Sequence, residues 1–449
     1  MPRQRRHPVK NTSLRDAITA VQQPYAKLAA IINAIAAENG HNVHYSASTV
    51  AHWLAGATPR QEMVAVIVEA FARLLGRPGL AAHDLGWPQF SIGPGNPWDG
   101  DPVVWVARLG RDDVLDRRSL LTAGLYSLAA LNLPPDVRPL TARPGSARRA
   151  GISDVERIRT MYVHFSSADD LFGGGHARTA VLAYLVHDVV PLLHGTTGRA
   201  RPALFGAASQ LTYLAAFMAS DAGSAGLAQR CYIQAVRLAD EAGDLIAKAT
   251  ALRGLALQAV ELGHPAHAVD LAQAATSTLG SASPIRTHAW MSGMRAEAHA
   301  ANGETAAALA ALRHAERGVE RADSAAESES TGAYQRAALE HQTGLILTHL
   351  TDLPAAERHL LDSIGARRDG ERRSRVLIAS RLAALQLRQR NPDAAAATVL
   401  ELRDDLKLLT SGRITGELAR LRHLWSGHRT IPGVDQADRL IASLLLNTA

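Results

Sequence analysis

The sequence predicts an all-α chain in which a short four-helix module precedes a superhelix of paired-helix repeats. Three observations predict it. Apolar residues recur at helical spacing through residues 13–76 and again from residue 151 to the end. A small–large–small triplet returns in the second half at spacings of 40, 40, 48 and 39 residues, the mark of stacked repeats. Residues 1–79 hold nine basic and four acidic side chains, a net +5 of the formal +6, so the 370 residues beyond them are nearly neutral.

In order along the chain, residues 1–12 form a basic arm. "SLRDAITAV" reads as a helix capped by Ser13, with Leu14, Ala17, Ile18 and Val21 on one face. Pro24 opens a second helix carrying Leu28, Ile31, Ile32 and Ile35, which stops near Gly40. A third helix runs from Ser46 to Ala55 and a fourth from Gln61 to Gly76, and residues 13–88 make one domain. Residues 89–150 are rich in Pro and Gly and read as a linker around one apolar helix in "DRRSLLTAGLYSLAALNLP". Its Arg117 and Arg118 imitate a twin-arginine export signal, but it starts at residue 116. Its apolar run, Leu120 to Leu133, falls short of the ~20 residues a bilayer requires. No other segment is long and apolar enough to span, so no membrane partner is expected. Residues 151–405 form the repeats and residues 406–449 capping helices.

Composition narrows the function. With 449 residues, 47% of them apolar, the chain has room for more than one core. The single cysteine, Cys231, excludes a disulfide framework and a multi-cysteine zinc site, and fits a reducing cytoplasm. The pairs His41/His44 and His264/His267 have ligand spacing but no third ligand nearby, so no metal is expected. No G-x-S-x-G, H-E-x-x-H, phosphate-loop or dinucleotide fingerprint occurs, and no catalytic residue or cofactor is expected. "DDLFGGGHAR" lacks the G-K-S/T ending of a phosphate cradle and no strand precedes it, so it reads as a flexible turn into "HARTAVLAYLVHDVVPLL".

The pattern S-x-x-x-V-x-x-W-L-x-G from Ser46 to Gly56 resembles the second helix of a Cro/repressor-like helix-turn-helix. With "YAKLAAIIN", "VAHWLAGATPR" and "HDLGWP", the chain resembles actinobacterial helix-turn-helix regulators of the XRE type that carry C-terminal tetratricopeptide repeats, in which the triglycine phrase also recurs. In the third helix Val50, Trp53 and Leu54 turn to the core, which leaves Ser48, Thr49 and His52 facing outward to base edges. Lys27, Arg60 and the arm residues Arg3, Arg5 and Arg6 suit phosphates or a minor groove. One departure from the family pattern is measurable: Ala29 and Val50 lie 21 positions apart, about eleven more than in the compact motif, which would add roughly 16 Å if all were helical.

The triplets Ala228/Tyr232/Ala235, Ala268/Ala272/Ala275, Ala308/Leu312/Ala315 and Ala356/Leu360/Ser363, with a weaker Ala395/Val399/Leu402, resemble the second helix of a tetratricopeptide unit. The resemblance implies that the first helices line a concave groove, placing Gln210, Tyr213, Phe217, Thr250, Arg253, Trp290, Glu297 and His341 toward a peptide or apolar small-molecule effector. The reading is a DNA-binding regulator, homodimeric to match a two-fold operator, whose repeats sense a ligand. Its rival is a non-catalytic scaffold in which a degenerate helix-turn-helix makes a protein contact.

Overall fold

The computed structural model describes residues 9–39, 41–77, 80–90, 97–114, 125–134, 150–322 and 334–447, and among them the fold is all-α, with no strand. The head comprises α1 (Thr12–Val21), α2 (Tyr25–Glu38), α3 (Ala47–Leu54) and α4 (Gln61–Leu75), followed by a 3₁₀ turn at Ala82–Leu85. Its core is its own: Leu14, Leu28, Ile32, Val50, Met63, Ile67, Phe71, Leu85 and Trp87 pack together, apart from the core of the body. The cap of α1 is Asn11, not Ser13. Its Oδ1 accepts from the Leu14 amide and its Nδ2 donates to the Leu85 carbonyl, so one side chain ties both ends of the head together.

The segment expected to be a linker contributes to the body. Helix α5 (Pro102–Val114) buries Val103, Val106 and Leu109 in the body's core, and Trp98 donates from Nε1 to the Ala130 carbonyl. Residues 115–124, including Arg117 and Arg118, lie outside the described residues. The remainder of the expected apolar helix is no α-helix, since residues 125–128 have no regular secondary structure and lead into a 3₁₀ turn at Ala129–Leu131.

The body stacks antiparallel pairs. It begins with α6 (Ile152–Phe172), α7 (Gly174–Tyr184), a π-turn and α8 (Val190–Gly195). Then follow α9 (Ala200–Asp221) with α10 (Ala225–Ala242), α11 (Leu245–Glu261) with α12 (Pro265–Thr278), and α13 (Ile285–Ala301) with α14 (Thr305–Arg321). After α15 (Arg336–His349) with α16 (Leu353–Gly365) come α17 (Arg372–Arg388) and α18 (Pro392–Glu401), the short α19 (Arg403–Leu406), and α20 (Gly412–Leu424) with α21 (Pro432–Asn447).

The triplets fall on the second helix of each pair, the last of them ending at the cap residue Leu402, and every member is buried. Close crossing is the reason for the pattern. A Cβ on Gly254 would stand 2.3 Å from the Tyr232 ring, and one on Gly344 would stand 2.7 Å from Leu360, so Tyr232 and Leu360 each need a bare backbone opposite. The turns inside pairs share one device, a left-handed residue just before the helix cap: Gly223, Gly263, Gly303, Thr351 and Arg390. Among the described helices, Ala200–Asp221 alone is long and apolar enough to cross a membrane, and most of it is buried inside the protein.

Candidate nucleic-acid interface and inner face of the repeats

Helix α3 is pinned from one side only. Val50, Trp53 and Leu54 are 0%, 4% and 5% exposed, with Trp53 edge-on to Tyr45 at 5.1 Å and to Trp87 at 6.2 Å. Ser48 and His52 are exposed on the opposite side, one turn apart. Thr49, expected to face outward with them, is only partly exposed, because its hydroxyl accepts the Ser46 amide at 3.3 Å and closes a capping box. The Ser46 and Ser48 hydroxyls lie 2.8 Å apart.

Cations flank this surface. Lys27 and Arg60 are exposed, and the amides of Lys10 and Asn11 both donate to the Leu54 carbonyl, at 2.8 and 3.1 Å. The basic arm therefore joins the head at the C-terminal end of α3; Arg3, Arg5 and Arg6 themselves lie outside the described residues. Arg73, in contrast, is consumed internally by Glu38 and Glu69 at 2.9 and 2.8 Å. Two of the four carboxylates in residues 1–79 are thereby removed from the head's outer field.

The additional residues between Ala29 and Val50 do not all extend a helix. Helix α2 ends at Glu38, and the connection to α3 returns to it at Tyr45, held by Asn33, which donates to the Tyr45 carbonyl and accepts the Tyr45 amide. The 16 Å extension is thus replaced by a pinned turn.

Head and body meet through a strap that sequence reading missed. Successive residues of the strap bond to opposite partners. Tyr126 and Leu128 give their amides to Asn39 and Glu69 of the head, while Ser127 exchanges two hydrogen bonds with Gln229 of the body, at 2.9 and 2.7 Å. The Tyr126 ring stacks on His264 at 5.7 Å. Burial foremost, with Glu38 and Glu69 adding to it, pushes the Tyr126 phenol well above its usual range, so it stays neutral.

On the body, several of the predicted ligand residues are packed against other side chains. Arg253 lies over Trp290 at 4.4 Å, Phe217 lies under Arg373 and Arg413, and Glu297 accepts from Gln342 at 2.9 Å. Thr250 is 3% exposed, and neither its hydroxyl nor Arg253 Nε has a hydrogen-bond partner. Burial, then the charge of Arg253, acts on Tyr213, with a net upward shift. Gln210 differs from the others. It lines an open cleft of about 520 Å³ with Arg159, Gly206, Asp244 and Pro284.

His341 is held neutral, its pKa well below the usual value, first by burial and then by Arg381, whose guanidinium lies 3.2 Å from Nε2. A His whose folded pKa is depressed stabilises the fold above its unfolded pKa of about 6.5, and that contribution is lost as pH falls further. The thermal midpoint of His341→Gln should therefore lose part of the wild-type decline between pH 7 and 5, which differential scanning fluorimetry across that range checks.

Among the described residues no three His, Cys, Asp or Glu side chains assemble as a metal site. Residues 14–88 match a family model described as the SP15 N-terminal domain, so the head is similar to that domain. No curated protein and no solved structure matches the chain.

Proposed function

We propose that the protein is a DNA-binding transcriptional regulator whose head reads a duplex with α3 and whose helical repeats, of the tetratricopeptide type, sense a peptide or small molecule. One observation carries the reading: a short helix locked by Val50, Trp53 and Leu54 holds Ser48 and His52 outward, with Lys27, Arg60 and the root of a basic arm around them. Short polar side chains on such a helix suit base edges in a major groove, and the surrounding cations suit phosphates. The body is close to neutral and contributes little attraction of its own.

The strap supports a sensing role. Any change in repeat curvature that moves Gln229 or His264 pulls on Ser127 and Tyr126, and through them on Asn39, Arg73 and Glu69 of the head. An effector shifts that balance only by binding one arrangement better than the other. The cleft at Gln210 has the volume of a small-molecule site. Two heads on a homodimer would match a two-fold operator.

Changing both Ser48 and His52 to alanine is expected to cost about 1–3 kcal/mol of discrimination between the selected operator and random duplex at each base edge no longer read. The helical content should not change. Selection of bound fragments from genomic DNA, followed by competition binding, checks this. Equal discrimination in the double variant would remove α3 from the interface and favour the scaffold reading, in which the head meets a protein.

A further inference from the structure

The array of repeats curls until its last pairs meet its first, and this seam is built unlike the contacts between neighbouring pairs. Neighbours are joined through apolar clusters, one from Trp98 to Ile346, one linking α16 to α17 through Leu360, Ile378 and Leu382, and one through the last pairs from Val376 onward. Between the two ends the contact is polar and ionic. Arg373 of α17 reaches Asp169 at 3.2 Å, Asp170 at 3.4 Å and Asp221 at 3.9 Å. Ser411 donates to Asp221 at 2.9 Å, and Arg413 of α20 binds Glu261 at 2.8 Å and the Ser220 hydroxyl at 3.2 Å. Arg373 and Arg413 also cover the Phe217 ring, at 4.8 and 5.6 Å.

The triglycine phrase has its purpose here, and it is tightly packed, not a flexible turn. The Gly174 amide donates to Asp221, the Gly175 amide donates to the Thr410 carbonyl, and the Thr410 amide donates to the Phe172 carbonyl. A Cβ on Gly173 would stand 2.6 Å from the Thr410 oxygen, one on Gly174 would stand 2.6 Å from the Met218 oxygen, and Gly173 holds φ +86°. No residue with a side chain lets the last pairs approach so closely.

We propose that the Gly173–Gly175 turn, Asp221 and Arg373 form a latch that holds the repeat array closed, and that the array opens at this seam to expose Phe217 and the inner face around it. The composition of the seam makes it separable. Parting it breaks no shared apolar core, and it returns four carboxylates, those of Asp169, Asp170, Asp221 and Glu261, and the guanidinium groups of Arg373 and Arg413 to water, which offsets much of the forfeited attraction. The seam is also imperfectly satisfied, since Asp169 Oδ1 has no hydrogen-bond partner. In a solenoid the opening motion is shared as small rotations at each repeat interface, so no single hinge has to melt. The latch concerns the body alone and stands whether or not the head meets DNA.

A thiol reporter on the full-length chain tests this. Ser220→Cys places a thiol under Arg413, while the native Cys231, fully buried, reports loss of the core. In the Arg373→Gln variant maleimide labelling at position 220 should accelerate about tenfold or more, with Cys231 still protected, helicity unchanged and a larger maximum dimension in small-angle X-ray scattering. The milder Asp170→Asn should shift labelling in the same direction by less. Unchanged labelling and dimension in both variants would overturn the latch. So would equal acceleration at residues 220 and 231, which would make the seam inseparable from the core.

Discussion

Replacing Trp53 with alanine is expected to unfold the head and leave the body standing. Trp53 is 4% exposed and joins three parts of the head, with Tyr45 on one edge, Trp87 on another and its own helix α3 behind. Truncating a core Trp removes its transfer free energy and leaves a cavity, a loss of about 3–5 kcal/mol. A small module with a core of its own has little more than that to lose. Thermal unfolding followed by circular dichroism should show an early transition that carries only the head's share of the helical signal, with the main transition unmoved. A single shifted transition would mean that head and body unfold as one unit.

The second large effect is expected at Arg73. Its guanidinium, 13% exposed, binds Glu38 and Glu69 and donates to the Tyr126 carbonyl, at the place where α2, α4 and the strap meet. Arg73→Ala leaves two carboxylates, 20% and 7% exposed, facing each other without a counter-charge. Removing one partner of such a network costs about 3 kcal/mol, because the charges left behind remain poorly solvated. Lysine at this position keeps the charge and loses the two-pronged geometry, so it should fall between the wild type and alanine. Hydrogen exchange is the sensitive readout, since the amides of Tyr126 and Leu128 are held by Asn39 and Glu69. Their protection should drop in Arg73→Ala. Protection equal to wild type would mean that the strap is held without this network.

Much of the architecture is legible in the sequence because it is local. The apolar face of α3, the cap and stop signals around α2 and α4, and the triplet on each second helix repeat with fixed periods, and packing follows period. What escapes the sequence is what depends on distant partners. Helix α5 hides in a Pro/Gly-rich stretch whose core residues Val103, Val106 and Leu109 look unremarkable until α7 and α10 are beside them. The strap has no signature of its own, since Ser127 and Gln229 are 102 residues apart. Thr49 departs from its expected place because spacing gives the face of a helix but not whether a hydroxyl turns back to cap its first turn. Repeat spacing puts Phe217, Arg253 and Trp290 on the first helices of their pairs, yet the covering of Phe217 by Arg373 and Arg413 depends on how far the array curls, which no single repeat records. The triglycine phrase stands out as a signal, but only Thr410 and Asp221 explain it.

If the head meets the phosphates and base edges of a duplex, as proposed, equilibrium binding of the full-length chain to duplex DNA over a salt series will reveal it. Four to six phosphate contacts from Arg3, Arg5, Arg6, Lys10, Lys27 and Arg60 predict that log affinity falls against log salt with a slope between about −3.5 and −5.5. The slope should become shallower by about one for each of Lys27 and Arg60 replaced by alanine. Affinity that is absent at low salt, or indifferent to salt and to those two substitutions, would mean that the head does not meet DNA.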